Sequence, residues 1–82
     1  MLLELEKGKK TVGRKQSQRA ILEGKAEKVF LADDADERIR QETQNLCMEH
    51  GVPMISVETM EQLGKACGIQ VGASVAALLR AQ

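Results

Sequence analysis

Residues 13–19, Gly-Arg-Lys-Gln-Ser-Gln-Arg, place cations at the predicted start of a helix that follows a glycine. The free N–H groups of a helix N-terminus already carry partial positive charge, so Arg14 and Lys15 cost stability there unless an anion or a guanine edge docks on them. Arg19 follows Lys15 by four residues and shares its helical face, while Gln16 adds an amide that both donates and accepts. The pattern indicates a nucleic-acid contact that begins at Gly13. A solvated helix start with no partner is the alternative.

A second candidate segment is residues 63–72, Leu-Gly-Lys-Ala-Cys-Gly-Ile-Gln-Val-Gly, in which a glycine recurs at every fourth position. Gly68 and Gly72 suit turns or a close approach of the backbone to a partner. Between them, Ile69 and Val71 either tuck into the core or form an exposed apolar finger that contacts a flipped-out base. The candidate contact residues of this segment are Leu63, Gly64, Lys65, Ile69, Gln70 and Val71.

Other chemistry is disfavoured by the residue types and their spacing. The acidic run at residues 33–36 caps a helix more simply than it binds magnesium. Neither Cys47 nor Cys67 lies in a Cys-x-x-Cys motif or a Cys/His cluster, and His50 is the single histidine, so a zinc site, which needs about four ligands, and a disulfide framework are both disfavoured. An enzyme with a reactive Cys67 is disfavoured because the thiol would follow a helix C-terminus, where its pKa is raised. We expect no catalytic site, no metal and no cofactor.

Composition narrows the class of partner. Phe30 is the only aromatic residue. Proteins that bind single-stranded nucleic acid usually stack its bases on several aromatic side chains, and this sequence lacks them. The net charge is zero, yet residues 1–28 carry eight bases and four acids, a balance of +4, and residues 29–82 carry −4. This asymmetry favours a local basic face. No apolar run is long enough for a signal peptide or a membrane helix, which predicts a cytoplasmic protein.

The 82 residues are predicted to form a single domain in which helices and strands alternate. This alternation predicts helices packed on both faces of a mostly parallel or mixed sheet. The predicted helices are a short N-terminal one and residues 14–22, 37–50 and 59–65, and the predicted strands are residues 11–12, 28–32, 52–57 and 73–79.

Together these segments resemble the kink-turn-binding ribosomal protein family of the L7Ae and L30e type, and most closely its small bacterial paralogues. The resemblance spans residues 12–79, and the markers besides residues 13–19 are the strand and acids at 29–36, Pro53 and, most specific of all, residues 63–73. It implies an α/β fold, a three-layer α/β/α sandwich with a four-stranded mixed sheet. It also implies binding to kink-turns, which are RNA duplexes with a three-nucleotide bulge beside tandem sheared G·A pairs.

The resemblance also assigns roles to residues. The family motif Gly-x-Asn-Glu-x-x-Lys enters the major-groove side of the G·A pairs, and its three polar positions correspond here to Lys15, Gln16 and Arg19. The archaeal pattern is therefore not matched, whereas the bacterial paralogues are similar to this Lys-Gln version. The family loop Leu/Ile-Glu-Val, which covers the bulged nucleotides, corresponds to residues 69–71, where glutamine replaces glutamate.

We therefore expect residues 1–82 to form one RNA-binding domain that recognises kink-turns and acts in a ribonucleoprotein, with the ribosome as one candidate partner. A monomer without membrane contact is expected. The alternative is a protein–protein adaptor of the same fold, like the growth-arrest and DNA-damage proteins. Those proteins tend to be acidic, so the +4 balance of residues 1–28 argues against this alternative.

Overall fold

The computed structural model describes residues 2–81, and within that span it contains four helices and four strands. In chain order they are α1 (Leu2–Lys7), β1 (Lys10–Val12), α2 (Arg14–Leu22), β2 (Ala26–Ala32), α3 (Glu37–His50), β3 (Met54–Val57), α4 (Met60–Ala66) and β4 (Val75–Leu79).

The strands form one sheet in the order β1-β4-β2-β3. β2 and β3 are parallel, whereas β4 lies between β1 and β2 and is antiparallel to both. β1, β2 and β3 therefore end at the same edge of the sheet, and β4 begins there. We call this edge the upper end of the molecule. It is marked by Val12, Ala32, Val57 and Val75, and the N-termini of α2, α3 and α4 all lie at it.

Each face of the sheet carries two helices and its own apolar core. On one face α1 and α4 pack over Phe30 and Leu78, with Leu5 and Leu63 fully buried between the layers. On the other face α2 and α3 cover Val29, Leu31, Val75 and Ala77. From Val29 to Ala32 β2 is buried on both faces, and these four residues form a continuous apolar run rather than an alternating pattern.

The acidic run after β2 serves as a pair of helix caps. Asp36 Oδ1 accepts a 2.8 Å hydrogen bond from Arg38 N and begins α3, and Asp34 Oδ1 accepts one of the same length from Met60 N at the start of α4. Thr59 Oγ1 accepts from Gln62 N at 3.1 Å. Across residues 2–81 no group of three His, Cys, Asp or Glu side chains is arranged to hold a metal ion. Capping accounts for Asp34 and Asp36.

The predicted fold class is confirmed. The helix α4 ends at Ala66, one residue later than predicted, and the larger differences lie at strand ends. β3 begins at Met54 rather than Val52, because Pro53 contributes only its carbonyl, which accepts from Val29 N at 2.9 Å. β4 begins at Val75 rather than Ala73, whose N–H donates to Met60 O instead. β2 begins two residues early, with an irregular register between Ala26 and Lys28. Within the described residues no helix has the length and apolarity needed to cross a membrane.

Candidate functional site

At the upper end, the start of the first candidate segment is bonded to the strand that follows the second one. Gly13 directly follows β1. Its N–H donates a 2.8 Å hydrogen bond to the carbonyl oxygen of Val75, which is the first residue of β4. The chain reaches Val75 from the loop that follows α4. The N-terminus of α2 and the end of that loop are therefore fixed to each other through the β1–β4 pair.

The N-terminus of α2 differs from those of α3 and α4 in having no side-chain cap. Gly13 occupies the N-cap position with φ of 101°, a conformation that L side chains rarely adopt, and no acidic residue lies in the first turn. The first helical bond runs from Ser17 N to Gly13 O at 3.0 Å. The N–H groups of residues 14–16 precede it and have no intrahelical acceptor, so this end keeps its partial positive charge.

Arg14 lies at this end but has a partner within the chain. Its Nε is 3.0 Å from Glu42 Oε1 and its Nη2 is 3.5 Å from Oε2, while Gln18 Nε2 also donates to Oε1 at 3.4 Å. The sequence predicts that Arg14 is free for an outside anion, whereas in the structure Glu42 on α3 pairs with it, so a phosphate would have to displace Glu42. Nothing in the sequence signalled this pair, whose members are 28 residues apart.

Lys15, Gln16 and Arg19 are exposed, as a contact surface requires. Arg19 Nε lies 3.9 Å from Glu23 Oε2 in an i,i+4 pair whose side chains are largely exposed. Among the described residues no carboxylate lies within 4.0 Å of Lys15. The same holds for Lys65, so within residues 2–81 these two lysines are cations of the candidate segments without an ion pair.

Three glycines set the path of the loop at residues 67–74. A Cβ at Gly64 would overlap the carbonyl oxygen of Val71, and one at Gly72 would come within 3.1 Å of Met60 Cβ. Gly68 has φ of 79° and ends α4 with a left-handed residue. The loop is also held by backbone hydrogen bonds, from Ile69 N to Gly64 O and from Ala73 N to Met60 O, each 3.0 Å long.

The side chains of this segment divide into supporting and exposed groups. Leu63 is fully buried and Gly64 is buried, so they support the loop from the interior and offer no surface to an outside partner. Ile69 is half-buried and packs against the core beneath α1 and α4, which corrects the prediction of an exposed apolar pair. Val71 is 71% exposed and Gln70 is exposed, as is Lys65. The apolar finger is therefore Val71 alone.

The thiol nearest to this surface is unsuited to nucleophilic chemistry. Cys67 is the C-cap of α4 and is 8% exposed. Burial raises the pKa of the Cys67 thiol, and the charge of Lys10 opposes this only in part. The thiolate form is therefore disfavoured near neutral pH, as the sequence indicated, although burial is the main cause.

Exposed charge differs between the candidate segments and the starts of α3 and α4. The candidate segments carry the exposed bases Lys15 and Arg19 on α2 and Lys65 on α4. The side formed by the starts of α3 and α4 carries one exposed base, Arg38, and six exposed acids, namely Asp33, Asp34, Asp36, Glu37, Glu58 and Glu61. An anionic partner is favoured on the α2 side and repelled from the other.

Comparison with known proteins shows similarity over the whole chain. The model of the ribosomal protein L7Ae/L30e/S12e/Gadd45 family matches residues 2–82. An "RNA-binding protein" of Geobacillus thermodenitrificans is 47% identical over 76 residues, which cover 93% of each chain. The "large ribosomal subunit protein eL8" of Halobacterium salinarum is 37% identical over 70 residues, covering 84% of this chain and 58% of that protein.

A solved structure is similar as well. The "Giardia lamblia 15.5kD RNA binding protein" superposes with a TM-score of 0.91 at 28% identity, over 99% of this chain and 72% of that one. These names describe RNA-binding and ribosomal proteins, not enzymes.

Proposed function

Because this chain belongs to the ribosomal protein L7Ae/L30e/S12e/Gadd45 family, we propose that it is an RNA-binding protein that recognises kink-turns in structured RNA. The names of its relatives, RNA-binding protein and ribosomal protein, support the general function. The kink-turn specificity is supported by the sequence features that resemble that branch of the family, residues 13–19 and 63–73.

The observation that carries the proposal is the junction at Gly13. Its hydrogen bond to Val75 O holds the uncapped start of α2 beside the loop that presents Val71. A kink-turn offers two features side by side, sheared G·A pairs and unpaired bulged nucleotides. We propose that α2 faces the paired region and that Val71 faces the bulge.

Polar groups of α2 supply the charge and the base contacts in this proposal. Lys15 and Gln16 follow directly after the glycine, so their side chains reach base edges, where a lysine pairs with guanine acceptors and a glutamine both donates and accepts. Arg19, one turn further along, and Lys65 on α4 contact phosphates and fix the protein's position. With Phe30 buried, the protein reads shape and base edges rather than stacking on bases.

The substitution of glutamine at residue 70 for the family's glutamate fits this arrangement. Gln70 is exposed on the loop beside Val71. A glutamate there would place a negative charge near the RNA backbone, whereas the amide of glutamine can donate to a phosphate or a ribose hydroxyl. We propose that the loop contacts RNA through Gln70 as well as through Val71.

A gel-shift titration tests the proposal. It compares a kink-turn duplex with the same duplex from which the three-nucleotide bulge has been removed, at one salt concentration because affinities for RNA depend steeply on salt. We expect the kink-turn to bind at least about tenfold more tightly, a difference near 1.4 kcal/mol. Equal affinity for both would contradict kink-turn recognition, and no binding to either would favour a protein–protein adaptor.

We further propose that the protein acts as a monomer within a ribonucleoprotein, with the ribosome as one candidate. The relative named as a large ribosomal subunit protein supports this placement. Sequencing the RNA that co-purifies with the chain identifies the target. Enrichment of a kink-turn from ribosomal RNA would support the ribosome, and enrichment of kink-turns from another structured RNA would exclude it as the main partner.

A further inference from the structure

Glu42 on α3 holds the guanidinium of Arg14 at the start of α2, next to the proposed RNA contacts Lys15 and Gln16. We propose that Glu42 determines specificity by masking the charge of Arg14, which weakens binding to duplexes that lack a kink. This inference rests on the proposed function, because it concerns discrimination between two RNA shapes.

The geometry of the pair indicates that Glu42 competes with phosphate for the guanidinium of Arg14. Two nitrogens of the Arg14 fork face the two carboxylate oxygens, at 3.0 Å and 3.5 Å. A phosphate presents two oxygens to an arginine in the same way. Gln18, one turn along α2, donates to the same carboxylate at 3.4 Å and helps to hold it in place. In the free protein the chain's own carboxylate therefore occupies the position that a phosphate would take.

The pair is also weak enough to be displaced. The side chains of Arg14 and Glu42 are 44% and 38% exposed, so water and salt screen their attraction. A phosphate that is brought to Arg14 and fixed there by other contacts can replace Glu42. A phosphate without such contacts must compete with Glu42, which belongs to the same chain and is always close to Arg14.

This difference bears most on duplexes without a kink. Their binding depends on the number of phosphates that the protein neutralises, and the duplex can slide until a phosphate meets any free cation. Masking Arg14 removes one such cation. A kink-turn is held in one register by contacts to base edges and to the bulge, so its affinity depends less on whether Arg14 is free.

The test is the substitution Glu42→Gln, which keeps the size of the side chain and removes its charge. Glu49→Gln is the matched control, because Glu49 is exposed on the same face of α3 two turns later and no lysine or arginine among residues 2–81 lies within 4.0 Å of it. Binding of the kink-turn duplex and of the duplex without the bulge is measured at several salt concentrations.

For Glu42→Gln we expect affinity for the plain duplex to rise about threefold to tenfold at low salt. The slope of log K against log salt for that duplex should steepen by about 0.7–0.9, the value for one more phosphate contact. Affinity for the kink-turn should rise less, so the ratio between the two RNAs falls. Glu49→Gln should change the slope for neither RNA.

Adding Arg14→Ala to Glu42→Gln should abolish the gain, because the charge that was unmasked is then gone. An unchanged or lower plain-duplex affinity in Glu42→Gln, with the wild type still preferring the kink-turn, would overturn the masking role and leave the proposed function standing. The same holds if Glu42→Gln raises both affinities equally. A wild type that binds neither RNA, or both alike, would instead overturn the proposed function, and the inference with it.

Discussion

Val71 is an apolar side chain that the fold leaves in solvent, 71% exposed on a loop whose backbone is tied to α4 at two points. We expect Val71→Ser to keep its free energy of unfolding within about 0.5 kcal/mol, as exposed positions usually do. The same change should lower kink-turn affinity at least about tenfold, near 1.4 kcal/mol. Thermal melting and gel-shift titration measure the two effects.

Two further serine substitutions serve as controls for Val71→Ser, one at an exposed position and one at a position packed against the core. Met48 is 81% exposed on α3, away from the loop, so Met48→Ser should alter neither stability nor binding. Ile69 packs against the core, so Ile69→Ser should lower the melting temperature. A large loss of stability in Val71→Ser, with binding intact in the folded fraction, would mean that Val71 serves the core rather than the RNA.

Lys15 is the second residue whose removal is informative, because no ion pair within the described chain competes for it. Lys15→Ala should weaken kink-turn binding and reduce discrimination among base pairs at the contacted position by about 1–3 kcal/mol, if its partner is a base edge. Lys9→Ala is the control, since Lys9 is exposed at the opposite end of the sheet. Unchanged affinity in Lys15→Ala would remove this residue from the interface.

At the scale of elements, the contact between α4 and its following loop decides where Val71 lies. Alanine normally stabilises a helix relative to glycine by about 1 kcal/mol. In Gly64→Ala the added Cβ would overlap Val71 O, so the steric conflict should outweigh the propensity gain. We expect a net loss of about 1–3 kcal/mol of stability, typical of overpacking, together with weaker kink-turn binding.

The control for Gly64→Ala is Gln62→Ala on the same helix, where the side chain is exposed and the backbone N–H alone serves the cap. It should leave both the melting temperature and the affinity unchanged. If Gly64→Ala proved more stable than the wild type and bound RNA normally, the close approach of α4 to the loop would not position Val71.

Elements whose ends are set by their own residues were predictable from the sequence. α2 and α3 begin and end where predicted, since Gly13, Asp36 and Gly51 fix those ends locally. The strand ends were displaced by about two residues because pairing partners decide them, as at Met54 and Val75. The sequence predicted both segments of the candidate site, and their contact with RNA stays a prediction. It did not predict the Arg14–Glu42 pair or the inward turn of Ile69, since both depend on contacts between elements distant in sequence.

At the scale of the whole molecule, groups in three elements favour the protonated form in the folded state. Burial raises the pKa of the Cys47 and Cys67 thiols, and the hydrogen bond from Lys28 Nζ to Glu4, at 2.8 Å, raises the pKa of Lys28. Between its ordinary pKa and its raised folded-state pKa, each group binds more protons when folded than when unfolded. Stability should therefore fall as the pH rises through that interval.

Melting temperatures measured from pH 7 upward check this expectation. The melting temperature should begin to fall near pH 9.0, the ordinary pKa of a cysteine thiol. It should continue to fall beyond pH 10.5, the ordinary pKa of a lysine. Replacing each cysteine by alanine should flatten the first part of the decline, because the groups that titrate there are then absent. A melting temperature that stayed constant up to pH 10 in the wild type would contradict the raised thiol pKa values.

The placement of the two cysteines, one on each face of the sheet, gives the molecule a separate reporter for each layer. Cys47 lies in the core covered by α2 and α3, and Cys67 lies in the core beneath α1 and α4. A thiol reagent reaches either one only when its own layer opens, so the rate of labelling in Cys47→Ala or Cys67→Ala measures the opening of one layer at a time. Bound kink-turn RNA, which would rest on the loop that follows Cys67, should slow the labelling of Cys67 far more than that of Cys47.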